Sequence, residues 1–543
     1  MILLTGRRAT ALLAGVALAT AVPVLAAQDH QHGGTPPEKL GRVEFATSCK
    51  PEAQQRFGRA VALLHSFWFA EADRAFDSIA VADPQCAMAY WGKAMVQLGN
   101  PFTPVSKEAA QRGLAAAEKA AALNPSTPRE RDYVEAVRML YRDHEKLDQR
   151  TRSLAYEEAM QGIYERYPDD PEAAIFYARA VIPNAPPADK TFARQKRAGA
   201  ILEPLFRQRP DHPGLAHYII HAYDAPALAK MAVHAAEQYN QIAPSVPHAQ
   251  HMPSHIFTRL GMWDASIKAN LTSAAAAKAY EEAQQLKTVS FDRAHAWDYL
   301  AYAYLQQGQD TKAQQVLQDV QRYTAAPSIA TDFAYSAIPA RYALERGRWR
   351  DAAGLTVRPT PSFRAGEAIT HFARGIGAAR SNDIAAARKE VEALRAVQED
   401  LEGKKESYWA QIVEAQRLAV SAWIAQGGGN TPEALRLAEQ AAEIEEAAEK
   451  HPVTPGPILP ARELQGDLLL KLNRPAEALK AYEATLTREP NRARAVFGAA
   501  RAAELSGDRA AARTHYQHFM KLMAEADGSR EELKTARAFL ARR

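Results

Sequence analysis

Residues Ala294–Tyr323 read AHAWDYLAYAYLQQGQDTKAQQVLQDVQRY. Apolar side chains recur at three- and four-residue spacing on both sides of Gly308, which predicts two amphipathic helices joined by a turn. Gly308 supplies the turn. Ala313, five residues later, is small enough to let the two helices approach closely. The same arrangement, a Gly followed five positions later by a small residue, recurs at Gly261/Ser266, Gly347/Ala352 and Gly507/Ala512. A second pattern sets a small residue four positions before an apolar one and twelve before a proline. It occurs at Ala72/Phe76/Pro84, Gly113/Ala117/Pro125, Ala198/Leu202/Pro210, Ala232/Ala236/Pro244 and Ala478/Tyr482/Pro490. Proline ends the second helix of each unit. No alternating strand pattern of any length interrupts this series, so the chain is expected to be all-α.

A helix hairpin buries only part of its apolar surface alone, so several must stack into a continuous core. Length by itself would suggest roughly three or four domains for 543 residues. The repeats replace that expectation with one or two superhelical arrays.

The hairpins resemble the tetratricopeptide repeat (TPR) family, a helix–turn–helix unit of about 34 residues. Trp297, Leu300, Ala301, Tyr304, Gly308 and Ala313 fall on the family's preferred positions, and Leu459–Pro490 and Ala493–Met520 match nearly as well. Degenerate copies extend from about residue 50 to 525, with insertions near 100–108 and 126–150 and a long second helix around 271–290. The chain is also similar to long, signal-bearing bacterial TPR proteins with a His-rich segment. The resemblance implies a TPR-like superhelical solenoid whose first helices line a concave groove. We divide it into an N-terminal array over 46–398 and a C-terminal array over 406–543, with the charged segment Glu399–Lys405 as a hinge.

Arg7 and Arg8 precede an uncharged, Ala- and Leu-rich stretch, and Val24-Leu25-Ala26 fits a small-residue cleavage site. Residues 1–26 therefore read as a signal peptide for export to the periplasm or exterior, by either the general or the twin-arginine route. Residues 27–45 read as a polar linker. No later apolar run reaches the roughly 20 residues that span a bilayer. Two cysteines, Cys49 and Cys86, read in an oxidising compartment as one disulfide, or as two buried thiols. Lys and Arg total 67 against 63 Asp and Glu. That near-neutral balance argues against nucleic acid as the main partner.

Histidine carries the chemistry. Seven of the 16 histidines lie between 212 and 255. His217, His221 and Asp224 stand at i, i+4 and i+7 on one helix face. His248, His251 and His255 stand at i, i+3 and i+7, as do His295, Asp298 and Tyr302. The TPR resemblance places all three sets side by side in the groove, with Thr258 and Arg259 on the same surface. Imidazole and carboxylate are ligands for Zn, Cu or Fe, and three helices can converge without a cysteine. Asp224 or Asp298 can instead orient a ligand imidazole. An acid/base or anion site without metal, and plain structural hydrogen bonding, stand as alternatives. Pro253 interrupts His251-Met-Pro-Ser-His255, implying either a kinked helix or a late helix start, and Pro339 takes the same phase. His65, His212, His234 and His451 read as structural, and His30 and His32 as linker residues.

No His-Glu-x-x-His, Gly-x-Ser-x-Gly, P-loop or Gly-x-Gly-x-x-Gly pattern occurs. The expectation is an exported scaffold that takes a protein, peptide or small ligand in its groove and holds a transition metal. The alternative is a metal-dependent hydrolase or oxidase using the same cluster.

Overall fold

The computed structural model describes residues 38–528 and 530–542. The expected signal peptide, most of the expected linker, and His30 and His32 lie outside them. From Pro51 to Leu540 the chain is a succession of antiparallel helix pairs, with one isolated parallel bridge between Val289 and Ala325. Residues Ala294–Tyr323 lie in the helices Phe291–Gln306 and Asp310–Arg322 and the turns that follow them. The other two clear repeats form Ala461–Lys471 with Pro475–Arg488, and Ala493–Leu505 with Arg509–Leu522. This is a TPR-like helical solenoid.

The turn glycines do what the repeat requires of them. Gly261, Gly308, Gly347 and Gly507 all have φ between 62° and 85°, the left-handed region that side chains disfavour. At Gly261 a second reason applies, since a Cβ there would stand 2.2 Å from the Pro490 carbonyl oxygen. The partner positions Ser266, Ala313, Ala352 and Ala512 are fully buried between their helices.

Residues 39–45 depart from the expected linker. Leu40 and Phe45 are buried, and the Arg42 amide donates to the Asp211 carbonyl at 3.0 Å. Phe45 joins a ring cluster with Phe57, Trp91, Tyr133 and Phe176, its centroid 5.2–6.5 Å from theirs. Such pairs add about 0.5–1.5 kcal/mol each beyond area burial, enough to pin this segment onto the first repeats. Cys49 and Cys86 are joined beside the same cluster, with Cα atoms 4.8 Å apart. No helix among the described residues is long and apolar enough to cross a membrane.

Distant repeats meet where the array coils back on itself. Asn491 donates to the Gly261 carbonyl and accepts from the Trp263 indole, both at 3.0 Å, and the Asp527 amide reaches the Gly308 carbonyl. The chain's own Pro-rich connector, residues 448–460, is held by side chains of two of the helices. Arg341 donates to the carbonyls of Gly456 and Pro457 and to the Thr454 hydroxyl, at 2.8–3.0 Å. Tyr299 donates to the Thr454 carbonyl at 3.2 Å.

Candidate functional site: two buried histidine triads

The helices Pro213–Ala222, Pro247–His251, Pro253–Arg259 and Phe291–Gln306 bring six histidines together. Met252 keeps helical angles between the two short helices, so Pro253 kinks the helix and does not delay its start. Pro339 lies inside an unbroken helix, Ile329–Leu344. The six rings form two triads, His217/His221/His248 and His251/His255/His295, each offering three nitrogens within 4.8 Å of one another. The triads abut where His221 faces His255, with ring centroids 6.0 Å apart, and where His248 faces His251, at 6.2 Å.

All six are buried, none more than 7% exposed. The expectation of an open groove therefore differs from the structure. The connector reaches the site through Lys450 on Asp224 and Thr454 on Tyr299, and Thr258, Arg259 and Tyr302 are buried too. Burial, followed by the proximity of the other imidazoles, holds His217, His221, His248 and His295 well below the ordinary histidine range. The same causes hold His251 well below it. His255 is lowered by burial against the pull of Asp224. The rings are thus neutral, and each carries one nitrogen lone pair.

Hydrogen bonds decide where those lone pairs point. His251 Nδ1 lies 2.6 Å from Asn270 Oδ1, while Asn270 Nδ2 donates to the Ser266 carbonyl at 2.7 Å. Asn270 therefore accepts, and His251 carries its proton on Nδ1. His255 Nδ1 donates to Asp224 Oδ2 at 2.9 Å. Both Nε2 atoms are left as acceptors, and they face each other 2.9 Å apart. Two lone pairs at that distance repel unless a cation lies between them. Nitrogens bound at 2.0–2.1 Å to one tetrahedral ion stand about 3.3 Å apart. His295 brings a third nitrogen to the same point.

In the first triad, His217 Nδ1 donates to the His65 carbonyl at 2.6 Å, leaving Nε2 as its lone pair. That Nε2, both nitrogens of His221 and both of His248 are buried without a hydrogen-bond partner. His248 Nδ1 stands 3.8 Å from Asp292, too far for a hydrogen bond. Phe67 packs its ring on His217, His221 and His248. It does so from a backbone φ of 55°, a strain of order 1–3 kcal/mol for a bulky residue. Phe102 covers His221, and Phe291 covers His248 and His295.

Asp224 is a positioning group. It accepts from His255, from Arg259 Nε at 3.0 Å and from Lys450 Nζ at 2.9 Å. Burial would raise its carboxyl, but Lys450, His255 and Arg259 together hold it well below the usual range. Burial brings Lys450 itself down to about 8, against the opposing pull of Asp224. Asp298 and Tyr302 are not brought to the imidazoles. Asp298 pairs with Arg341 at 3.3 Å, and burial raises its carboxyl to about 6. Tyr302 accepts from Arg492 at 3.2 Å. Thr258 is spent on Ser266.

His65 and His212 flank Glu172, each with Nε2 2.9 Å from one carboxylate oxygen. His451 spans the Phe102 carbonyl and the Val453 amide. His234 packs against Phe206. Asn270, Phe67, Lys450 and the His65 carbonyl are site components that sequence reading missed. Only a buried Asn in an Ala-rich helix offered any hint. A cavity of about 90 Å³, lined by Tyr408, Trp409, Arg259, Lys450 and Glu489, backs onto the Asp224 cluster.

No protein-family model and no curated protein matches the chain. Among solved structures, the human IFIT1 dimer with PPP-AAAA is similar at 12% identity. It covers 80% of this chain and 91% of its own, with a TM-score of 0.38. The APC/C hetero-tetramer Cut9-Hcn1 is similar at 12% identity over 91% of this chain and 77% of that one, with a TM-score of 0.36.

Proposed function

We propose that this protein is an exported helical-repeat scaffold that holds a transition-metal ion at His251, His255 and His295. The observation that carries the reading is the pair of Nε2 lone pairs turned toward each other at 2.9 Å, with both Nδ1 atoms already committed to acceptors. A bridging proton would require an imidazolium. Burial and the neighbouring cation Lys450 disfavour one at both positions. A metal ion supplies the missing positive charge without that cost, and neutral imidazoles bind it without first losing a proton. Asn270 and Asp224 then serve as the outer acceptors that ligand histidines ordinarily use. The joined Cys49–Cys86 pair fits the oxidising compartment expected from the leader sequence.

A second reading, a metal-dependent hydrolase or oxidase, is favoured by one observation. The triad contributes three ligands, and three-ligand sites leave a coordination position open for chemistry.

The test is retention of metal. Chelated protein is reconstituted separately with Zn, Cu, Fe and Ni, dialysed and assayed for bound metal. The expected result is retention of at least one ion by the wild type and a loss of one ion in His255→Ala, with unchanged helical circular dichroism. Failure of the wild type to retain any of the four metals would overturn the proposal.

A further inference from the structure

The second triad accounts for three of the six imidazoles, and the other three pose a separate problem. His217, His221 and His248 place five buried ring nitrogens where no donor or acceptor meets them. Buried polar atoms are nearly always paired, and ring nitrogens gathered this closely are arranged as a ligand set would be. The His65 carbonyl fixes His217 with its Nε2 lone pair free. His221 and His248 have no local partner that competes for theirs.

We infer that the first triad binds a second ion, so that the two triads form a two-metal centre, and that both ions are copper in the monovalent state. The inference deepens the metal-binding reading and rests on it. The donor set admits the ion, and two further features select it. Every ligand is a neutral imidazole, a donor that suits copper as it suits Zn, Fe and Ni, so the choice falls to charge and coordination number. The charged groups next to the rings leave no surplus negative charge: Asp224 and Asp292 stand against Arg259 and Lys450. Two divalent ions would leave four uncompensated charges in a buried site, and two monovalent ions only two. The cost of burying charge rises with its square, so the lower charge is strongly preferred. Finally, Phe67, Phe102 and Phe291 pack over the first triad. A water completing a tetrahedral divalent ion would find aromatic rings there in place of hydrogen-bond partners. Three-coordinate copper(I) needs no fourth ligand.

The test loads the full-length protein with copper(I) under anaerobic conditions. Copper per chain is measured, and the coordination is read by X-ray absorption. The expected result is two coppers per chain, each with three nitrogen scatterers and the edge shape of three-coordinate copper(I). His221→Leu and His295→Ala are expected to retain one copper each, and the double variant none. The wild-type stoichiometry needs no variant to fold, and helical circular dichroism checks those that are made. One copper per chain in the wild type would overturn the inference while leaving the single-metal reading intact. Two coppers undiminished by His221→Leu would also overturn it, by placing the second ion elsewhere, as at His65, Glu172 and His212. No copper at all would overturn the inference, and joined with no retention of Zn, Fe or Ni it would overturn both readings.

Discussion

Replacing His221 by leucine should stabilise the metal-free protein and destabilise the metal-loaded one. Both ring nitrogens of His221 are buried without partners. An unmet buried polar group costs about 1–3 kcal/mol, so the side chain carries a penalty of about 2–6 kcal/mol when no metal is present. Leucine removes both atoms at similar volume. It also loses the ring contacts to Phe102 at 4.8 Å and Phe67 at 5.7 Å. Those are worth about 0.5–1.5 kcal/mol each. At the middle of both ranges the balance is a gain of about 2 kcal/mol for the metal-free variant. With free metal at a thousand times the dissociation constant, the wild type gains about 4 kcal/mol from the first triad. The variant, left with two ligands there, gains little. The order of stability should therefore cross by several kcal/mol between chelator and metal. Urea unfolding followed by circular dichroism, with and without copper, reads this as a reversal in the order of the two midpoints. If His221→Leu is less stable than the wild type in chelator, and metal leaves the order unchanged, the imidazoles are structural and hold no ion.

Four further outcomes follow from the same geometry. Asn270→Ala removes the acceptor that fixes His251, and metal affinity at the second triad should fall about 10–100-fold in a competition titration. Because burial keeps the free imidazoles neutral, metal affinity should stay nearly flat between about pH 6 and 8. Exposed histidines would instead lose affinity below about 6.5. Although burial alone would raise it, Glu172 is held well below its ordinary value by His65 and His212. Its contribution to stability is thus present above about pH 4.5 and lost as pH falls below that, and Glu172→Gln should flatten this acid limb in a pH series of unfolding midpoints. Reducing the Cys49–Cys86 link, which closes a separation of 37 residues, should cost about 4 kcal/mol on the chain-entropy account, measured as a lower urea midpoint for the N-terminal repeats.

The sequence carried the repeats because each hairpin is local: a glycine turn and a small residue five positions later are read within one helical unit. It also carried the histidines of both triads, since i, i+3, i+4 and i+7 spacing fixes a helix face without tertiary information. What it could not carry were partners from distant repeats. Lys450 reaches Asp224 across 226 residues, and Arg341 claims Asp298 across 43. Those long cations, and the connector they hold, turn an expected open groove into a closed site. Tyr302 was lost from the site for the same reason, drawn to Arg492 across 190 residues. The choice between ligand and positioning carboxylate was likewise invisible until Asp224 Oδ2 was seen on His255 Nδ1, on the side of the ring away from the lone pair.

The proposed function stands on a metal ion between the Nε2 atoms of His251 and His255. Anomalous diffraction from crystals of the metal-loaded protein, collected across the metal's absorption edge, tests it most directly. A peak is expected about 2.0–2.1 Å from both Nε2 atoms, with His295 as a third ligand and the Nδ1 bonds to Asn270 and Asp224 intact. Retained metal with no peak at that point, or a peak at a site that leaves His251 and His255 facing each other at 2.9 Å, would contradict it.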